Sequence, residues 1–398
     1  MHSEPILLTT DEVAHRLGVK LATVYAYVSR GLLSSRRNAD GKGSLFPKPD
    51  VDAFVAGRRR GTTPSIQTGI TLIKDGALYY RGRDACVLAR TASFESVATL
   101  LWTGDLEHVD LAVNREFLSL AHAVIRPLPE PARHTDRLRV IVAALAAADP
   151  LRFDTSPAAV VATGRTMLAT MVTALPFCGV LPLGDLPLAR ALWHRLTVQQ
   201  PGESEFQLLN AALVLLADHD IAASTLAARV AASTRAHPYA VVGAGLAALD
   251  GPLHGAASGL AHELLAEAMT RDAPVTTIAD RLRVGTPIPG FGHPHYPDGD
   301  PRASTLLEMI PDGPVRSCAE LLATAMRTRS GIHPNIDFAV AVLSLHHGMA
   351  ADAGETIFAV ARTAGWLAHA LEEYSDRPSR FRPTGQYAGR QPTNGAAA

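Results

Sequence analysis

From about residue 69 onward, apolar side chains recur every three or four positions in one segment after another. That spacing confines this part of the chain to a mainly α-helical body. In SFESVATLLWTG, residues 93–104, Phe94, Val97 and Leu100–Leu101 fall along one helical face behind a Ser93–Ser96 start region. Similar patterns recur at 135–148, 157–175, 205–217, 222–234, 256–271, 314–329 and 355–373. One strand pair is expected, in GITLIKDGALYYRG at 69–82, where Asp75-Gly76 supplies a hairpin turn. The chain shows no recurring strand–helix–strand pattern and no glycine-rich phosphate loop, which argues against a doubly wound nucleotide-binding fold.

With 47% hydrophobic and 19% charged residues and a mean hydropathy of +0.10, the 398-residue chain implies a large buried core or an extensive subunit interface. Its most apolar segment, MLATMVTALPFCGVLPL at 167–183, is interrupted by Pro176 and Pro182, so a buried helix and turn are expected there rather than a membrane span. The N-terminus lacks an apolar stretch of signal-peptide length, and a soluble protein without membrane contact is expected. Cys86, Cys178 and Cys318 form neither a metal-ligand spacing nor a disulfide framework, which fits a reducing cytoplasm and no metal centre.

Charge is uneven. Residues 1–60 carry 10 Lys/Arg against 6 Asp/Glu, whereas the whole chain has a net charge of −1. A basic end on a neutral chain points toward a polyanion. Within it, TTDEVAHRLGVKLATVYAYVSRGLL (9–33) reads as helix–turn–helix, opened by a Thr9–Glu12 capping box. Leu21, Val24, Tyr25 and Val28 are expected to form the buried stripe of the second helix, leaving Lys20, Thr23, Tyr27 and Arg30 outward as candidate DNA-binding residues. SSRRNADGKGSLFPK then suits a two-stranded wing, and PDVDAFVAGRRRG a short helix. Residues 1–60 resemble the small winged helix–turn–helix domains of the excisionase and mercury-regulator type. A polar linker is expected at 61–68.

Four clusters in the body carry titratable side chains in shaped backbone. GPLHGAAS (251–258) holds His254 between glycines, where a helix N-terminus would keep its imidazole neutral. GFGHPHYPDGDPRA (290–303) is a glycine- and proline-shaped loop with His293 and Arg302. In HPNIDFAVAVL (333–343), Pro334 is expected to start a helix with Asp337 in its first turn. ADHDIAASTLAARVAAST (217–234) places His219 just ahead of a helix.

GPLHG, GFGH…DPRA and PNIDF, in that order, resemble the citrate synthase family. KDGALYYRG (74–82), SFESVATLLWTG, ADHDIAASTLAARVAAST and FAVARTAGWLAHALEE…RFRP (358–383) add to the likeness, which covers residues 69–389. The resemblance implies large and small helical domains closing over a site, the small one at about 217–325 inserted in the large one; the small, polar residues at 390–398 are expected to form a flexible tail. It implies a homodimer or a multiple of one. It also implies condensation of acetyl-CoA with oxaloacetate to citrate and CoA, the acyl-CoA being a co-substrate and no cofactor being permanently bound.

Carried over position by position, the resemblance gives Asp337 as base, His254 as donor to the thioester oxygen and His293 as donor to the ketone oxygen. It gives His219, Arg302 and Arg362 as substrate-binding residues, and Arg382 as one supplied across the dimer. The chain departs from the family pattern at Ala256, Ser258 and Pro294-His295, beside the reacting groups. Those departures leave two alternatives open: a 2-methylcitrate synthase using propionyl-CoA, and a metabolite-sensing DNA-binding regulator built on a synthase body.

Overall fold

The structure, a computed structural model, describes residues 7–17, 19–29, 33, 35–37, 44–52, 54, 66–179 and 186–381. The chain separates into two compact units, Met1–Gln67 and Thr68–Ala398.

In the first unit, Thr9 and Glu12 form the expected reciprocal cap. The Thr9 N–H donates to Glu12 Oε2 at 2.7 Å, and the Glu12 N–H donates to Thr9 Oγ1 at 3.3 Å. Helices Thr10–Leu17 and Leu21–Ser29 follow. The wing is the antiparallel pair Arg36–Arg37 and Ser44–Pro47, and Leu7–Thr9 adds a third strand to its other edge. Residues 48–52 and 54 are helical. Val13, Ala14, Val24, Leu33, Phe46 and Val51 make a small core.

The buried stripe of the second helix differs from the expected one. Val24 is buried and Val28 packs on the core, but Leu21 and Tyr25 are 43% and 52% exposed. Tyr27 instead packs inward, its ring 5.2 Å from that of Phe54. The helical residues around Phe54 decide which tyrosine is covered, and the spacing within one helix carries no trace of them. Arg30, the linker residues 61–65 and the tail, with Arg382, lie outside the described residues.

The second unit is helical apart from one three-stranded sheet, among the described residues. Thr71–Lys74 and Ala77–Tyr80 pair antiparallel, with Asp75 and Gly76 both at positive φ in the turn. Arg83–Asp84 adds a short third strand. All eight expected helices are present, from Phe94–Thr103 to Ala353–Ser375. Ser93 caps the first of these through the Ser96 N–H at 3.2 Å, and Gly104 closes it at φ 92°.

At the centre lies Ala353–Ser375, whose residues 353–370 are uniformly buried. A helix buried around its whole circumference has to be enclosed by others, and its buried Glu355, Arg362 and His369 must find partners there. It is surrounded by Phe94–Thr103, Pro157–Ala174, Glu203–Leu216, Ala223–Ser233 and Pro238–Leu249. The contact with Pro238–Leu249 is so close that a Cβ on Gly245 would meet the Trp366 ring at 2.5 Å. No helix among the described residues is long and apolar enough to cross a membrane.

Candidate active site

Two segments far apart in sequence are laced together to make the centre of the site. Asn335 caps helix Ile336–His346, its Oδ1 accepting the Asp337 and Phe338 N–H groups at 3.0 and 3.3 Å. The helix therefore starts after Asn335, and Pro334 stands outside it. From the same residue, Nδ2 reaches the Gly292 carbonyl at 3.0 Å, while the backbone N–H donates to the Gly290 carbonyl at 2.9 Å. A bridge between Phe291 and Pro334 and a Gly292 N–H bond to His333 at 2.8 Å complete the seam. Gly290 is required here: its φ is 84°, and a Cβ would lie 2.9 Å from Phe338 Cβ.

The seam sets His293 beside the helix that carries Asp337. A backbone N–H can only donate, so the His295 N–H bond to His293 Nδ1 at 3.2 Å makes Nδ1 the acceptor. In the neutral ring the proton is then on Nε2. Burial, with Arg302 next, pulls the His293 pKa down to about 4, so the ring is neutral at physiological pH.

Arg302 is not in the loop itself. It sits in the first turn of helix Pro301–Met309, with Pro301 at the position where a missing N–H costs nothing. Asp300 caps that helix through the Arg302 N–H at 3.1 Å and grips the Arg302 side chain at 3.0 and 2.8 Å, with both side chains almost wholly buried. Asp300 also accepts the Ile336 N–H at 3.1 Å, fixing two helix starts together. Nε and Nη2 of Arg302 are thus committed to Asp300, whereas Nη1 makes no hydrogen bond among the described residues.

His219 is buried, bonded through Nε2 to the Tyr296 hydroxyl at 3.0 Å, with its ring 5.0 Å from that of His293. Burial, followed by the Arg302 and Arg362 charges, holds it well below the ordinary histidine pKa. Arg362 is almost fully buried. Its Nε donates to the Leu216 carbonyl at 2.8 Å, and its Nη1 has no partner among the described residues. An unmade bond from a buried guanidinium costs free energy that an anionic ligand would recover.

His254 lies in the turn before helix Ala257–Met269, and its Nε2 meets Ser224 Oγ at 2.7 Å. Its pKa is lowered to about 4 by burial and then by Arg362. The ring is therefore kept neutral as expected, but burial and a neighbouring cation do so in place of the helix N-terminus. Gly255 permits the turn, since a Cβ there would meet the Leu249 carbonyl at 2.5 Å. Phe358 spans the gap between two functional groups, lying edge-on to His254 at 5.6 Å and under the Arg362 guanidinium at 4.5 Å.

Asp337 completes the set. Burial raises its carboxyl to about 6, against the opposing pull of Arg302 and the added push of Asp300. The structure thus gathers His219, His254, His293, Arg302, Asp337 and Arg362 in one region, and Arg382 lies outside the described residues. Asn335, Ser224 and Tyr296 were not assigned roles from sequence. An asparagine directly before an apolar helical run was a readable capping signal. Ser224 and Tyr296 carried none, because only the fold brings them to their histidines.

The chain matches the family described as "Citrate synthase, C-terminal domain" over residues 60–384, and a helix-turn-helix domain over residues 7–59. A citrate synthase from Acidithiobacillus ferridurans is 33% identical over 350 residues, spanning 79% of this chain and 90% of the relative. A 2-methylcitrate synthase from Mycobacterium tuberculosis is 30% identical over 376 residues, spanning 86% and 92%. The crystal structure of citrate synthase from Thermotoga maritima superposes with a TM-score of 0.68 at 27% identity, covering 83% of this chain and 95% of that one. With its six clustered side chains on that fold, the chain belongs to the citrate synthase family and carries a helix–turn–helix domain ahead of it.

Proposed function

We propose that the protein condenses acetyl-CoA with oxaloacetate to give citrate and CoA. The observation that carries this reading is the grouping of Asp337 with His254, His293 and the buried Arg302 and Arg362, in surroundings that raise the carboxyl and keep both rings neutral. Asp337, ionised at neutral pH, removes a proton from the acyl α-carbon. The enolate oxygen that results is stabilised by His254. His254 Nε2 shares a hydrogen bond with Ser224 Oγ at 2.7 Å, and in this reading the hydroxyl is the donor, which leaves the ring proton on Nδ1 for the thioester oxygen. The nucleophilic carbon then attacks the ketone carbon, forming the new C–C bond. The ketone oxygen becomes a hydroxyl by taking the proton from His293 Nε2, the proton removed by Asp337 restores that ring, and water cleaves the thioester, its hydroxyl going to the acyl carbon and its proton to the CoA sulfur.

Arg302 Nη1 and Arg362 Nη1, with His219, hold the dicarboxylate, and arginine suits carboxylates because its donors are paired in a plane. In this reading Arg382 joins them from across a homodimer, and the domain at about 217–325 closes over the substrates. Ala256 and Ser258 bear on acyl chain length, where one methylene is a small discrimination. Incubation with oxaloacetate and equal acetyl-CoA and propionyl-CoA, followed by mass spectrometry, gives mainly citrate on this account. A product that is mainly 2-methylcitrate would overturn the acyl assignment.

We further infer that the N-terminal unit binds DNA, because Lys20 is exposed just ahead of its second helix, Tyr25 is exposed on that helix, and the wing strand Arg36–Arg37 is basic. Lys20→Ala with Arg36→Ala would then abolish retardation of duplex DNA at low salt. Retardation unchanged by that pair would reject this face as the contact.

A further inference from the structure

Four consecutive residues, Leu216 to His219, at the end of helix Glu203–Leu216 each make a hydrogen bond to a distant segment. A helix C-terminus leaves carbonyls without intrahelical partners, and here they are taken up by the central helix. The Leu216 carbonyl accepts from Arg362 Nε at 2.8 Å, and the Ala217 carbonyl from the Gly365 N–H at 3.1 Å. His219, the last of the four, reaches Tyr296. Between them is Asp218, fully buried and assigned no part in the chemistry above.

The Asp218 carboxylate is tied on one oxygen. Oδ2 accepts from Thr71 Oγ1 at 2.5 Å and faces His369 Nε2 at 3.3 Å. The His369 tautomer follows from its other side, where Arg229 Nη1 lies 2.6 Å from Nδ1. A guanidinium can only donate, so Nδ1 accepts and the His369 proton is on Nε2, directed at Asp218. Arg229 is in turn fixed by Glu373 at 2.5 Å and Glu372 at 2.7 Å. Asp218's own backbone is clasped by Tyr80, whose hydroxyl donates to its carbonyl at 2.9 Å. Gly365 leaves no slack, since a Cβ there would meet Asp218 Oδ1 at 2.5 Å.

We propose that Asp218 is a positioning residue for the 2-oxo acid. Held by Thr71 and His369, its buried carboxylate fixes the 216–219 turn, so that His219 and Arg362 are presented together to a dicarboxylate. The inference rests on the synthase reading for its substrate and on the hydrogen bonds alone for its mechanism. It separates the two substrates: the turn carries His219 and holds Arg362, both assigned to the oxo acid, whereas His254 and Asp337, assigned to the acyl group, stand on other segments.

The test uses the full-length protein. Thr71→Val removes one donor to Asp218 and keeps the shape of the side chain, and Thr71→Ser restores the hydroxyl. KM for oxaloacetate is expected to rise about five- to tenfold in Thr71→Val, with KM for acetyl-CoA within twofold of the parent, and to return in Thr71→Ser. Asp218→Asn is expected to raise it further. An unchanged oxaloacetate KM in Thr71→Val, or an equal rise for both substrates, would overturn the proposal. If the parent protein releases no CoA, the synthase reading fails separately. Oxaloacetate binding by calorimetry then decides: weaker binding in Thr71→Val rescued by Thr71→Ser supports Asp218 as a positioner, and equal or undetectable binding rejects it.

Discussion

Asp337→Asn should make the protein more stable while stopping its chemistry. Asp337 has its carboxyl raised to about 6 from an ordinary 3.8, chiefly by burial. The folded chain therefore binds this proton more tightly than the unfolded chain does, and stability falls as pH rises from 3.8 to 6. Above that window the cost is complete: roughly two pKa units at 1.36 kcal/mol each, or about 3 kcal/mol. A neutral asparagine of the same shape escapes it. Urea unfolding at pH 7.5 should show the variant more stable by about 2–3 kcal/mol, falling to about 1 kcal/mol at pH 4.5, where the folded Asp337 is already mostly protonated. CoA release should drop about 10²- to 10⁴-fold, the range for loss of a general base. A variant that is less stable at pH 7.5, or whose advantage does not shrink with acid, would refute the claim that burial tunes this carboxyl.

The same tuning predicts that kcat/KM falls below about pH 6 as Asp337 is protonated, with no histidine step between pH 5 and 8, because His254 and His293 are held near 4. A step near 6.5 that survives in Asp337→Glu would contradict it. Asn335→Ala removes the helix cap and the tie to Gly292, so it should cost about 1–2 kcal/mol in urea unfolding and at least tenfold in kcat/KM with helical content unchanged. Gly290→Ala forces a side chain onto φ 84° and into Phe338, and should lower stability by about 1–3 kcal/mol. Arg302→Gln leaves Asp300 buried without its cation; about 3–5 kcal/mol should be lost, read as a drop in the unfolding midpoint.

What could be read from the sequence was whatever local chemistry determines. The Thr9–Glu12 box, the Asp75-Gly76 turn and the Ser93 cap are contacts between residues a few positions apart, and each is found as expected. His254, His293 and Asp337 were visible because glycine, proline and asparagine mark their surroundings, and those residues build the seam and turn that hold them. Helix Pro238–Leu249 was not read, because its mostly apolar sequence gives no contrast between faces. Tyr25 and Tyr27 exchanged places because a third helix selects the face that is covered. Asp218, Thr71 and His369 are up to 298 positions apart yet share one carboxylate, and no periodicity within a segment reports such a meeting. The neutral state of His254 is legible from its helix-terminal setting, but its cause is not, since the burying residues and Arg362 arrive from elsewhere.

We propose that Asp337, His254 and His293 act as one catalytic unit that joins an acyl-CoA to a 2-oxo acid. Its most direct test is the release of free CoA thiol from acetyl-CoA, with and without oxaloacetate, by the full-length protein and by Asp337→Asn. Release should require oxaloacetate and fall at least 10²-fold in a variant that remains folded. Oxaloacetate-dependent release that persists in Asp337→Asn would contradict it.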